Sequence, residues 1–201
     1  SSTVPQTAAL RRRAVASEAT THPGPTYMVG ECWTFDLTRW YAKPDLEGNH
    51  LGFLAVELHT DRPWSWLMRD HSGVENALDA LQHFVRTTKR VRLRALWADF
   101  DPTWARHGDD VVLGQTRVMK WCIREGVRLL ATAPYKHNRR VESVMGSIVY
   151  IVNCLLVASL LGHVFWGRAF LCATFLYARR SNPSSRKPAL QNGQTRYHAY
   201  H

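Results

Sequence analysis

Asp36 in ECWTFDLT, Asp99 in VRLRALWADFD and Glu142 in APYKHNRRVES are acidic residues at the ends of three different predicted elements. They stand in a chain with 26 Lys and Arg against 16 Asp and Glu, a formal net charge of +10. Isolated carboxylates in a strongly basic protein suit a metal site that works on a polyanion. Hard divalent cations such as Mg²⁺ take oxygen ligands and leave positions open for phosphate oxygens. Any one of these acids alone would be read as a solvated surface charge. Their joint placement makes them a candidate site.

Basic residues gather before two of the acids. Arg86, Lys89, Arg90, Arg92 and Arg94 precede Asp99, and Lys136, His137, Asn138, Arg139 and Arg140 precede Glu142. The cations among them (Arg86, Lys89, Arg90, Arg92 and Arg94, then Lys136, Arg139 and Arg140) predict phosphate contacts that position a duplex without reading its sequence, and His137 and Asn138 are placed to touch DNA near the cut. A solvated basic face is the plainer alternative for the first group, and ordinary loop polarity for His137 and Asn138.

Carboxylates on separate elements converge only if a sheet brings them together. Trp33, Phe35 and Leu37 alternate with Cys32, Thr34 and Asp36, the period of a half-buried strand. GFLAVELH (52–59) and WSWLMR (64–69) read as two more strands around a turn at Asp61-Arg62-Pro63, giving an antiparallel meander. Val74, Ala77, Leu78, Leu81 and Val85 follow at helical spacing, with Ser72 as the expected cap and Glu75 three residues on. Residues 91–98 return to strand period, a short helix is expected around 115–125, and VRLLATA (127–133) reads as a fifth strand. From Arg140 the pattern predicts two helices, broken near Gly162 and running to about Arg180.

The remaining composition excludes other classes. Cys32, Cys122, Cys154 and Cys172 form no Cys-x-x-Cys pair, and none of the 10 His pairs with a Cys at zinc spacing. The expectation is a reduced, intracellular protein with isolated thiols. Residues 1–29, rich in Ser, Thr, Ala and Pro, read as a disordered linker without a signal peptide. Residues 30–180 read as the folded domain and 181–201 as a basic polar tail. Starting at Ser1, the chain looks like a piece of a longer product.

Three strands, helix, strand, helix, strand and two helices is the element order of the ribonuclease-H-like fold. The segments themselves resemble the integrase catalytic core of copia-class retrotransposons. GECWTFDLT is similar to that family's first acidic strand, RLRALWAD to its second, and WCIREGVRLLATAPY (121–135) to its stretch leading into Thr-Ala-Pro-Tyr. LLVASLLGHVFWGRAFLCATFLYARRSNPSS resembles its final helix pair, with Phe165-Trp166 and Tyr177 in the expected order. The resemblance covers roughly residues 30–190. It implies a five-stranded mixed sheet flanked by helices, and Asp36, Asp99 and Glu142 as ligands of Mg²⁺ or Mn²⁺, as a pair of ions. It further implies processing of DNA 3′ ends, then strand transfer into target DNA. The implied partners are element ends and target DNA, with a homo-oligomer as the active form and no membrane. The implied location is the nucleus after entry, otherwise a cytoplasmic particle.

The chain departs from the family at Phe100-Asp101 after the second acid, at Ser143 after the third, and in a shortened 136–142 segment. Asp101, Asp109 and Asp110 are further acids near Asp99. Two alternatives stay open: a nucleic-acid-binding relic without turnover, and a small membrane protein anchored by 147–167. Residues 143–167 contain no Lys, Arg, Asp or Glu, the length of a bilayer span. As core helices, they would bury Ile148, Val152, Leu155, Leu156, Phe165, Phe170 and Leu176.

Overall fold

The computed structural model describes residues 27–39, 41–98, 117–131 and 139–180. Within them the chain forms β1 (Cys32–Leu37), β2 (Leu51–Glu57), β3 (Pro63–Met68), α1 (Val74–Phe84), β4 (Ala95–Ala98), α2 (Arg117–Glu125), β5 (Arg128–Ala131), α3 (Arg139–Ser159) and α4 (Trp166–Arg179). The five strands make one mixed sheet in the order β3-β2-β1-β4-β5. β1–β2 and β2–β3 pair antiparallel, whereas β1–β4 and β4–β5 pair parallel. The strand that carries Asp36 is therefore central.

Strand alternation sorts the core onto two faces. Trp33, Phe35, Phe53, Ala55 and Leu96 face α1 and α2, where Ala77, Leu78, Leu81, Val118 and Trp121 complete one buried cluster. Leu54 and Val56 face α3 and α4, meeting Val144, Ile148, Val152, Trp166, Phe170 and Ala173. Asp36 pairs with Leu54 and so shares the α3–α4 face.

The boundaries have local causes. Ser72 does not cap α1: its N–H donates to Asp70 Oδ1 at 2.7 Å, and Asp70 caps a short 3₁₀ turn over His71–Gly73. The Ser72 hydroxyl, which also donates to Asp70 Oδ1, and this N–H together hold the Asp70 carboxyl below its usual range. Past Phe84 the helix widens into a π turn, Val85–Lys89, that ends at Arg90 in the left-handed region (φ 56°). That turn shortens the expected 91–98 strand to Ala95–Ala98, because Val91 to Arg94 are spent bringing the chain back to the sheet. α2 stops at Gly126, whose φ of 65° favours glycine.

The helix pair is only partly a core element. Ile148, Val152 and Phe170 are buried and Leu155, Leu156 and Phe165 half-buried, but Leu176 is exposed. Beyond Val152, α3 runs past the sheet it packs on, so Val157 and Leu160 face solvent.

Candidate functional site

Asp36 is the fifth of six residues in β1, half-buried, and its Oδ1 accepts the Leu37 N–H at 2.8 Å. β1, β4 and β5 run parallel, so their carboxyl ends share one edge of the sheet. In open α/β sheets that edge is where ligands gather. The last pair of the β1–β4 ladder is Phe35 with Ala98, immediately before Asp36 and Asp99 in the chain. Asp99, Asp101, Lys136, His137, Asn138 and the Arg139 side chain lie outside the described residues.

Glu142 is exposed in the first turn of α3, on the same sheet face as Asp36 but at another level. Arg140 Nε forms an ion pair with Asp61 in the β2–β3 turn. That turn follows Glu57, which pairs with Trp33, and Asp61 N–H donates to Glu57 O at 3.0 Å. Asp36 lies three residues past Trp33 along β1, about 10 Å at the strand rise. α4 corroborates the direction. It begins at the β1–β2 connection, where Leu46 N–H donates to Val164 O (3.1 Å), Arg168 pairs with Glu47, and Tyr41 stacks on Trp166 at 4.1 Å. α3 runs antiparallel to it, so α3 starts at the end where β1 starts.

Arg92 and Arg94 are at that starting end too. Ala95 pairs with Cys32, and Arg94 reaches Glu31 at 3.7 Å with its side chain 63% exposed. Closeness in sequence to Asp99 suggested that these cations flank the acids. The length of β4 instead separates them from the carboxyl edge. They form, with Arg140, an exposed to half-exposed basic group around the beginning of the sheet.

Sequence reasoning missed the two buried acids there. Glu57 is fully buried and accepts N–H bonds from Gly30 (3.2 Å), His59 (3.1 Å) and Thr60 (2.6 Å). Glu31, also buried, accepts from Met28 N–H at 3.0 Å. Nearby, burial and the Arg62 charge hold the Lys89 ammonium below its usual range, with Glu57 opposing. Saturated with backbone donors, Glu57 is a structural acid. Its signal was visible: a lone charge inside the apolar run GFLAVELH.

No protein-family model matches the chain, and no curated protein sequence matches it. Among the described residues, no three His, Cys, Asp or Glu side chains gather where a metal ion could be held. Of the predicted ligands, Asp36 is a hard oxygen donor at the carboxyl edge. Glu142, tethered through its helix toward the opposite end, does not fit the same ion. Also among the described residues, Arg140–Ser159 is the one helix long and apolar enough to cross a membrane, with mean hydropathy 1.9 over a window that is 28% buried.

Proposed function

We propose that this chain is a ribonuclease-H-like domain that handles DNA, similar to the integrase cores of copia-class retrotransposons. The observation that carries this reading is the position of Asp36 on the central strand of a β3-β2-β1-β4-β5 sheet, next to the carboxyl ends of β4 and β5. An acid there, with Asp99 the next residue in the chain after Ala98 at the end of β4, is the pair that metal-dependent phosphodiester chemistry would use. Mg²⁺ or Mn²⁺ on such carboxylates supplies charge neutralisation at phosphate oxygens. The net charge of +10 supports a polyanionic partner, and exposed Arg92 and Arg94 supply phosphate contacts. Element ends and target DNA are the proposed substrates, and the nucleus the proposed place of action.

A second reading, a DNA-binding relic of the same fold, is favoured by one observation. The helix carrying Glu142 is tied to Asp61 rather than to the Asp36 edge. Strand transfer with a labelled DNA end and Mg²⁺ or Mn²⁺ separates the two. An enzyme shows transfer that Asp36→Asn and Asp99→Asn abolish while DNA binding survives. A relic shows salt-sensitive DNA binding and no transfer in any form. Transfer that is equal in wild type and both variants would sink the assignment of these acids.

A further inference from the structure

We propose that the turn between α3 and α4 docks this protein on an anionic lipid surface by sinking its apolar tip among the acyl chains. The tip is residues 157–164, Val-Ala-Ser-Leu-Leu-Gly-His-Val, all exposed and none of them Lys, Arg, Asp or Glu. Val157, Leu160, Leu161 and Val164 are 75%, 93%, 46% and 39% exposed. Leu46, itself 58% exposed, joins them from the β1–β2 connection, where its N–H donates to Val164 O at 3.1 Å. α3 ends at Ser159, and Leu160 turns the chain in the left-handed region (φ 54°). A leucine serves the fold poorly there, since that conformation favours glycine and its side chain is given to solvent. Single exposed apolar residues are ordinary, but a group of them on one projecting tip marks an interaction site.

The reach of the tip sets the mode of docking. Val144, Ile148 and Val152 hold the earlier part of α3 on the sheet, against Leu54 and Val56. From Val152, the last buried residue of the helix, to its end at Ser159 is about 10 Å at the helical rise. A helix so pinned cannot cross a hydrocarbon core of about 30 Å. It can reach the boundary of headgroups and acyl chains, where apolar faces sink about 5–10 Å. Polar atoms of the tip are in part answered from within, which lowers the cost of leaving water. The Ser159 hydroxyl donates to Leu155 O at 2.6 Å, and the Leu160 N–H to Val157 O at 3.3 Å.

Charge selects the occupant. Tyr41 stacks on Trp166 and lies 5.7 Å from His163 of the turn, and Arg39 and Lys43, two residues to either side of it, are exposed. Arg168 adds a third cation, paired with Glu47. An uncharged apolar tip with cations behind it matches a membrane that is negative at its surface and apolar beneath. The net charge of +10 adds attraction from a distance. A projecting turn offers a protein partner no groove to fill, and this one holds no Lys or Arg for a phosphate. The inference stands apart from the proposed DNA chemistry, since it needs neither Asp36 nor a metal.

Co-sedimentation of the full chain with vesicles tests it. Binding is expected to vesicles of about two parts phosphatidylcholine to one of phosphatidylserine, and weaker binding to phosphatidylcholine alone or at high salt. Leu160→Ser with Leu161→Ser should lower vesicle affinity about 10-fold or more and leave DNA affinity unchanged. Both side chains are exposed, so the double variant keeps its fold, which circular dichroism checks. A fluorophore on Leu160→Cys should be quenched by spin-labelled acyl chains and one on Tyr150→Cys should not, each in a chain that also carries Cys154→Ser and Cys172→Ser. No sedimentation with the anionic vesicles overturns the proposal. So does affinity that the double variant keeps, since the basic surface alone would then adsorb. Quenching at both positions would mean that α3 spans the bilayer or lies flat on it, and overturns the tip as the docking element. A double variant that loses DNA affinity and keeps vesicle affinity would assign the tip to nucleic acid instead.

Discussion

Arg140 is ion-paired to Asp61, and this fixes the helix carrying Glu142 at the end of the sheet where β1 begins. Asp36 stands near the other end of that strand. The two carboxylates therefore differ in what they can do for one metal ion. Glu142→Gln should lower metal-dependent strand transfer by less than 10-fold, while Asp36→Asn should lower it by ~1000-fold or more. Rates for both variants with the same labelled DNA end decide it. Equal losses would mean that the start of α3 moves to the Asp36 edge when DNA and metal bind.

Burial pushes the Cys122 thiol up to about 12, and burial together with the Glu57 charge does the same for Cys32. Both start from an ordinary value of 9.0, so between pH 9 and about 12 the unfolded chain loses these protons while the folded chain keeps them. Their stabilising contribution is whole below pH 9 and falls as pH rises, by about 1.4 kcal/mol per pH unit and thiol. Urea midpoints at pH 8 and 10.5 should therefore separate further in wild type than in Cys122→Ala. Alkylation at pH 8 should mark Cys154 and Cys172, which are exposed, and spare Cys32 and Cys122. Rapid labelling of Cys122 in the folded protein would contradict this.

Two buried tryptophans should respond differently to the same change. Trp121 Nε1 donates to Asp79 Oδ1 at 2.6 Å, and Arg124 steadies that carboxylate at 3.0 Å. Trp166 Nε1 is buried and has no hydrogen-bond partner among the described residues, although its ring stacks on Tyr41. Trp121→Phe removes a made bond and leaves Asp79 without it, while Trp166→Phe removes an orphan donor. The first should cost about 1–2 kcal/mol more than the second. Chemical denaturation of both variants checks the order, and a larger loss for Trp166→Phe would refute it.

Gly52 lies where α4 crosses β2. A Cβ there would come 2.7 Å from the Phe170 ring and 3.0 Å from Thr38 Cγ2, both part of well-packed surroundings. Gly52→Ala should destabilise the fold by about 1–3 kcal/mol, since neither neighbour can retreat freely. Gly146→Ala, with nothing nearby, should not destabilise it and should raise helix propensity. Thermal melts of the pair give the comparison. Similar melting points would show that Phe170 yields easily.

The elements were legible because their periods are clean. Cys32–Leu37 alternates, Val74 to Leu81 repeats every three or four residues, and Gly162 breaks the last two helices as expected. Sequence does not show direction along the sheet. Arg94 is five positions from Asp99, yet β4 carries it to the other end. Glu142 opens its helix as expected, but only the Arg140–Asp61 contact reveals which edge that helix starts from. Such contacts join residues far apart in the chain, and no local pattern encodes them. The cap was misplaced for a smaller reason: Ser72 donates both its N–H and its hydroxyl back to Asp70 Oδ1, and Gly73, which has no side chain to accept a bond, stands at the start of the helix.

The central position of β1 also orders how the protein assembles. Its antiparallel side closes through a nearby hairpin, since Leu37 pairs with Phe53. Its parallel side waits for Ala95 to reach Cys32, with β2, β3 and α1 lying between them in the chain. Distant pairings carry a larger loop-closure cost and form later. A refolding intermediate would hold the β1–β3 meander while β4 and β5 were still undocked. In that state Asp36 would already be placed, and the edge it serves would not yet exist.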